Sequence, residues 1–240
     1  LWGRVAPVSE LQHLADEFGL KLIYDAAHAF GCSWQGTKIG NFGDCEVLSF
    51  HATKCFHTLE GGAVLTNQEA LAEKLRLMRN FGFSGVDQVV CAGTNGKLNE
   101  VSAAMGVSNF AFLEQLLAHN RQVYRTYREA MSNLSGIRLL EFDERQDNNF
   151  QYIVLELEES CPLGRDRIIE VLHAENILAR RYFWPGCHRM MPYRELYPSA
   201  GCNLNHTEQV MERIIVMPGG SALSPEMIPT IASVLAVLLK

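Results

Sequence analysis

The chain has 240 residues, of which 48% are hydrophobic and 20% are charged, and its formal net charge is -6. This composition can build an ordinary globular core, which argues against disorder. It contains no long basic run that would follow a nucleic-acid backbone, and no apolar stretch reaches the roughly 18 residues that a membrane span needs. We therefore expect neither nucleic acid nor a membrane as a partner.

A first helix is predicted near the start of the chain. Ser9 and Gln12 have the spacing of a capping box, and Gly19 can end the helix in the left-handed conformation. Apolar side chains follow the helical period between these two signals, at Leu11, Leu14, Ala15 and Phe18. An amphipathic helix is expected.

Short apolar runs at residues 20–24, 47–50 and 63–66 are predicted to be strands, because each is bounded by Gly or Asp. Asn67 follows the third run and is predicted to cap a helix that reaches residue 79. Helices that alternate with buried strands indicate an α/β fold.

The helical period then continues through residues 100–134, which is long for one helix, and Gly106 predicts a bend or break. Gly136 ends this stretch, and a polar, acidic segment follows. We place the domain boundary there. Residues 1–136 are predicted to form the C-terminal part of a large domain, and residues 137–240 a small C-terminal domain.

The second part predicts a smaller α+β unit. Its elements are a strand at 151–157, a helix at 165–174, a strand near 177–181 and a last helix that begins with Ser224 as cap and Pro225 in its first turn.

Seven cysteines are spread along the chain without a CxxC spacing. The pattern predicts no metal site and no redox pair, and free thiols favour a cytoplasmic location. The chain opens at Leu1 rather than Met and enters a helical pattern almost at once. We therefore expect a fragment that lacks its N-terminal part.

Three residues together indicate a specific chemistry: Asp25 after the first strand, Ser49 in the second strand and Lys54 five residues later. Pyridoxal phosphate (PLP) needs a lysine amine to bind its aldehyde, a carboxylate to keep its ring nitrogen protonated and hydroxyl groups for its phosphate. Taken singly, each residue has an ordinary explanation as a solvated charge, a turn residue or a satisfied hydroxyl. The surrounding sequence decides between these interpretations.

Five stretches match one known family in order and spacing. They are residues 22–31 (LIYDAAHAFG), 40–44 (GNFGD), 49–54 (SFHATK), 60–67 (EGGAVLTN) and 93–106 (GTNGKLNEVSAAMG). With them the chain resembles the sugar-nucleotide aminotransferases of the DegT/DnrJ/EryC1/StrS group, which are fold type I PLP enzymes. The resemblance implies a mixed, mostly parallel sheet that is incomplete at the N-terminus, followed by the smaller α+β domain.

The resemblance also implies a role for each matching residue. Lys54 is the lysine that bonds to the cofactor, and Asp25 pairs with the ring nitrogen. His28 lies beside the phenolic oxygen of the ring, and Ser49 reaches the phosphate. Asn95 crosses the interface of a homodimer to the phosphate in the partner subunit, although Gly96 stands where the family usually has an aromatic residue.

The expected reaction is transfer of an amino group, with glutamate as donor, to a ketone on a nucleoside-diphosphate keto-deoxysugar. Arg181 and His188 lie in a stretch that resembles the family's substrate loop, and a surface loop with scattered charges explains them equally well. One alternative is a related PLP-dependent sugar dehydratase, although those enzymes carry His where Lys54 stands. The other is an inactive or truncated partner subunit.

Overall fold

The computed structural model describes all residues, 1–240. The chain forms two compact units. The first comprises Leu1–Ala118 and Phe142–Gln151, and the second comprises His119–Glu141 and Tyr152–Lys240. The division at residue 136 remains a prediction, and these units group the chain differently, because the segment before the 151–157 strand packs with the N-terminal residues.

The first unit contains three helices and seven strands. In chain order they are α1 (Val8–Phe18), β1 (Ile23–Asp25), β2 (Ser33–Trp34), β3 (Thr37–Lys38), β4 (Cys45–Ser49), β5 (Gly62–Leu65), α2 (Glu69–Arg79), β6 (Phe83–Gly85), β7 (Gln88–Val89) and α3 (Glu100–Ala111). Helix α4 (Leu113–Ala130) begins in this unit and ends in the second. No single helix in the structure is long and apolar enough to cross a membrane.

A three-stranded mixed sheet, with strand order β1-β4-β5, organises the first unit. Strands β1 and β4 are parallel, with Asp25 opposite Val47, whereas β4 and β5 are antiparallel, with Ser49 opposite Gly62. A Cβ atom at Gly62 would lie 2.7 Å from the carbonyl oxygen of Leu48, so only glycine permits this approach. The parallel pairing brings the carboxyl ends of β1 and β4 to the same edge of the sheet.

Helix α1 ends as predicted but begins differently. Gly19 adopts the left-handed conformation, with φ of 61°, and its N–H donates to the Asp16 carbonyl oxygen in the last turn of the helix. Ser9 lies inside the helix, Pro7 is the cap residue, and no side chain caps the helix, so the predicted capping box is wrong. Pro7 lacks an N–H and has a fixed φ, which suits the residue at a helix start. In α2 the cap is Gln68 rather than Asn67.

The predicted break at Gly106 is also wrong. The helical stretch is interrupted at Phe112, between α3 and α4, and Gly106 is buried inside α3. A Cβ atom at Gly106 would lie 2.8 Å from Cγ2 of Thr58. The glycine therefore allows α3 to pack closely on the loop that follows Lys54, and the Asn109 side chain donates to the His57 carbonyl oxygen at 2.9 Å.

The second unit is an antiparallel sheet packed with helices. Its elements are β8 (Ile137–Leu139), β9 (Ile153–Leu157), α5 (Arg165–Ala174), α6 (Tyr193–Leu196), α7 (Asn205–Arg213), β10 (Ile214–Met217) and α8 (Ile228–Leu238). The strand order is β10-β9-β8, and every residue of β10 is buried. Helix α5 has the predicted bounds. The strand predicted near 177–181 is reduced to one bridge, between Arg180 and Val216.

Candidate functional site

Asp25 and Ser49 are the last residues of β1 and β4, so the parallel sheet carries both to one edge. The Asp25 carboxylate accepts a hydrogen bond from the Ala27 N–H at 3.1 Å, and the Ser49 hydroxyl accepts one from the His51 N–H at 3.4 Å. Ligands of α/β proteins bind at this edge, where strands give way to loops.

Lys54 lies in a loop that its own backbone closes. The Phe50 carbonyl oxygen accepts from the Thr58 N–H at 2.9 Å, and the His51 carbonyl oxygen accepts from the Lys54 N–H at 2.9 Å. Burial lowers the pKa of the partly buried Lys54 ammonium, while the Asp25 carboxylate opposes the shift. The amine is therefore closer to its neutral, nucleophilic form than a solvated lysine would be.

His28 belongs to the same electrostatic group. Burial, with the positive charge of Lys54 as the next cause, lowers the pKa of His28 to about 4 from its ordinary 6.5. The ring is therefore neutral at pH 7. Its Nδ1 accepts a hydrogen bond from the Trp2 N–H at 3.1 Å, so the neutral ring carries its proton on Nε2 and can donate from that atom.

The first strand differs from the sequence interpretation in one respect. We expected a buried strand, but Ile23 is 63% exposed and Asp25 is exposed, whereas Tyr24 between them is buried. Strand β1 is an edge strand with one neighbour, and within this chain one of its faces is uncovered. The carboxylate is accessible to a ligand.

Asn95 is not brought into this group by any contact within the chain. It forms a backbone bridge with Asn80, and the next residue, Gly96, donates its N–H to the Arg79 carbonyl oxygen at 2.9 Å. Asn95 itself is exposed. Its role remains a prediction.

Arg181 and His188 lie in the second unit, and each faces a carboxylate. Arg181 is 3.6 Å from Asp166, and the imidazole of His188 is bonded to Glu208. Their contact with substrate stays a prediction.

Two residues next to Lys54 and His28 were missed by sequence reasoning, Asn149 and Gln151. The side chain of Gln151 bonds to the backbone on both sides of Lys54, and the side chain of Asn149 bonds to the backbone of His28. Asn149 ends the polar segment that was interpreted as a domain boundary, and Gln151 opens the strand predicted at 151–157, whereas β9 begins at Ile153. These contacts span about a hundred residues, and a local pattern cannot reveal them.

This fold is that of the fold type I PLP-dependent aminotransferases. Residues 1–236 match the model of the DegT/DnrJ/EryC1/StrS aminotransferase family, and the chain belongs to that family. It is a family of PLP-dependent enzymes.

Similar proteins agree with the family match. The chain is 32% identical over 234 residues to a dTDP-4-amino-4,6-dideoxy-D-glucose transaminase of Shigella dysenteriae, covering 97% of this chain and 63% of that protein. The crystal structure of DesI with its TDP-sugar product is similar with a TM-score of 0.89 at 40% identity, covering 98% of this chain and 60% of DesI. PseC of Helicobacter pylori, an aminotransferase of pseudaminic acid biosynthesis, has a TM-score of 0.88 at 26% identity, covering 99% of this chain and 64% of PseC. The chain thus spans somewhat less than two thirds of these relatives.

The residues present fit PLP. A partly buried lysine with a lowered pKa can bond to an aldehyde, and Asp25 presents an accessible carboxylate at the same sheet edge. Neutral His28 supplies an N–H donor, and Ser49 supplies a hydroxyl at the end of β4. This set of groups matches what the cofactor requires.

Proposed function

We propose that the protein is a PLP-dependent aminotransferase that acts on a nucleotide-linked sugar. The observation that carries the proposal is the grouping of Lys54, Asp25 and His28 at one edge of the sheet, where the charge of Asp25 acts on Lys54 and the charges of both act on the pKa of His28. Family membership supports it independently.

Each residue of the group has a chemical task in this proposal. PLP, when bound, supplies an electron sink that makes the α-proton of the amino donor acidic. Lys54 Nζ would hold the cofactor and would serve as the general base for the proton on the donor Cα. The Asp25 carboxylate would keep the ring nitrogen protonated, His28 Nε2–H would donate to the phenolic oxygen, and Ser49 Oγ would bind the phosphate.

The proposed acceptor is a ketone on a nucleoside-diphosphate keto-deoxysugar, and glutamate is the proposed donor. Transaminases of dTDP-linked amino sugars among the relatives support the acceptor class, as does DesI with its TDP-sugar product.

The proposal includes a homodimer in which Asn95 of one subunit binds the cofactor phosphate of the other. Its support is the exposure of Asn95 in a motif that matches the family. A cytoplasmic location is also part of the proposal, and the seven cysteines, all free thiols, support it.

Borohydride reduction of the full-length protein with PLP tests the assignment. The expected result is a phosphopyridoxyl group on the peptide that contains Lys54, found by mass spectrometry, together with loss of the yellow chromophore. A label on a different lysine, or no label, would contradict the proposal. Turnover of a panel of nucleotide ketosugars with glutamate would then identify the acceptor.

A further inference from the structure

The side chain of Gln151 bridges the two peptide groups next to Lys54. Its Oε1 accepts a hydrogen bond from the Cys55 N–H at 3.1 Å, and its Nε2 donates to the Thr53 carbonyl oxygen at 2.9 Å. One amide thus engages the backbone before and after the lysine. Fixing both neighbours restricts the backbone torsions that aim the Lys54 side chain.

The side chain of Asn149 holds the loop of His28 in a similar way. Its Nδ2 donates to the carbonyl oxygens of His28, at 2.8 Å, and of Phe30, at 3.1 Å. Its Oδ1 accepts from the Gln151 N–H at 3.1 Å, so the two amides form one connected set. Asn149 is completely buried, and a buried amide with all these partners is costly to replace.

Phe150, between the two amides, has a strained backbone. Its φ is 48°, in the left-handed region that bulky residues avoid, and its buried ring packs against Phe142 with ring centroids 5.0 Å apart. Such a conformation persists only where the surroundings determine it, and it occurs often at functional sites.

We infer that Asn149 and Gln151 are positioning residues, whose side-chain amides hold the Lys54 and His28 loops in a fixed mutual arrangement. They act through the backbone of those loops. The inference rests on the proposed function, because it is the catalytic use of Lys54 that gives the arrangement its purpose.

Gln151 is the residue to vary, since it is half-buried and its bond to the Thr53 carbonyl oxygen is exposed, whereas variants of the completely buried Asn149 are prone to misfold. Gln151→Met keeps the length of the side chain and removes both hydrogen bonds. Gln151→Asn keeps the amide but is one methylene too short to reach both peptide groups. Gln122→Met, at an exposed position of α4, is the matched control.

The measurement is the reactivity of the Lys54 amine in cofactor-free protein. Competitive acetylation between pH 7 and 10, read by peptide mass spectrometry, gives the pH profile of Lys54 relative to exposed Lys74. The groups whose charges act on Lys54, Asp25 and Cys55, are unchanged in every variant. Neither cofactor nor substrate is needed, so the result does not depend on the proposed activity.

In Gln151→Met and Gln151→Asn we expect the loop to loosen and Lys54 to become more solvated. The pH profile of Lys54 acetylation then moves to higher pH, toward that of a lysine with the ordinary pKa of 10.5, and labelling at pH 8 falls, whereas Gln122→Met follows the wild type. If Gln151→Met does not fold, Gln151→Asn carries the test. Variants that fold with an unchanged Lys54 profile, even with a lower Tm, would overturn the inference and leave Gln151 a purely structural residue. Failure of the borohydride experiment with a shifted profile would instead sink the proposed function alone.

Discussion

The loop around Lys54 and the segment around Asn95 lie in the same compact unit, but they differ in the bonds that hold them and in their exposure. The Lys54 loop is closed by its own backbone bonds and bridged by Gln151, and burial already alters the pKa of its amine. Asn95 is held only through backbone bonds to the end of α2 and is exposed. This chain itself arranges the surroundings of Lys54, whereas the action proposed for Asn95 requires a second subunit.

Replacing Lys54 gives the largest expected effect. Lys54→Arg keeps the positive charge but removes the nucleophilic amine, so covalent attachment of the cofactor and proton transfer at the donor Cα are both lost. We expect turnover to fall by at least about 10⁴-fold, with no change in Tm of the cofactor-free protein. Lys74→Arg in α2 is the control. Retained turnover in Lys54→Arg would show that the chemistry lies elsewhere.

Asp25→Asn tests the partner of Lys54 at the same edge. In the proposed site the Asp25 carboxylate would pair with the protonated ring nitrogen of PLP. Two unit charges about 4 Å apart at an effective dielectric of about 20 interact by about 4 kcal/mol before desolvation is counted. A loss of that size corresponds to roughly a thousandfold in rate. The variant is expected to bind PLP, as seen by absorbance, yet to lose most turnover. Asp16→Asn, on the exposed side of α1, is the control. Unchanged turnover in Asp25→Asn would show that the ring-nitrogen assignment is wrong.

The strands that lead to Asp25 and Lys54 could be predicted from the sequence because apolar runs are local signals, whereas the roles proposed for both residues came from the resemblance to the family. Asp25 and Lys54 follow apolar runs that are strands in the structure, and helix α5 was predicted with its exact bounds, because periodicity acts over a few residues. Gln151 was missed because it bonds to backbone 96 and 98 residues away. Strand β10 was missed because its four apolar residues follow helix α7 without a turn signal, and its pairing with β9 is long-range.

Asn95→Ala sharpens the contrast between the two regions. Losing a hydrogen bond to a charged phosphate costs about 1.5–3 kcal/mol, so the affinity for PLP should weaken roughly 10- to 100-fold, measured by equilibrium dialysis.

The decisive measurement mixes Asn95→Ala with Lys54→Ala. If Asn95 acts across the dimer, each hybrid contains one complete site, and random exchange restores roughly a quarter of the wild-type sites. No gain in activity on mixing, despite verified subunit exchange, would place Asn95 in the site of its own chain or in none.

His28 gives the smallest expected effect and tests whether the Lys54 neighbourhood is as closed as its bonds indicate. Because burial and Lys54 lower the pKa of His28 to about 4, the folded protein binds fewer protons at this residue than the unfolded chain between pH 6.5 and 4. Stability from this source is fully present above pH 6.5 and declines as the pH falls through that window.

His28→Gln keeps a neutral donor and lacks the titration, so its urea midpoint should fall less between pH 7 and 4 than that of the wild type. His13→Gln, at an exposed position of α1, should behave like the wild type. Parallel pH profiles for His28→Gln and the wild type would mean that His28 is solvated in solution, and the neighbourhood of Lys54 would then be more open than its backbone bonds suggest.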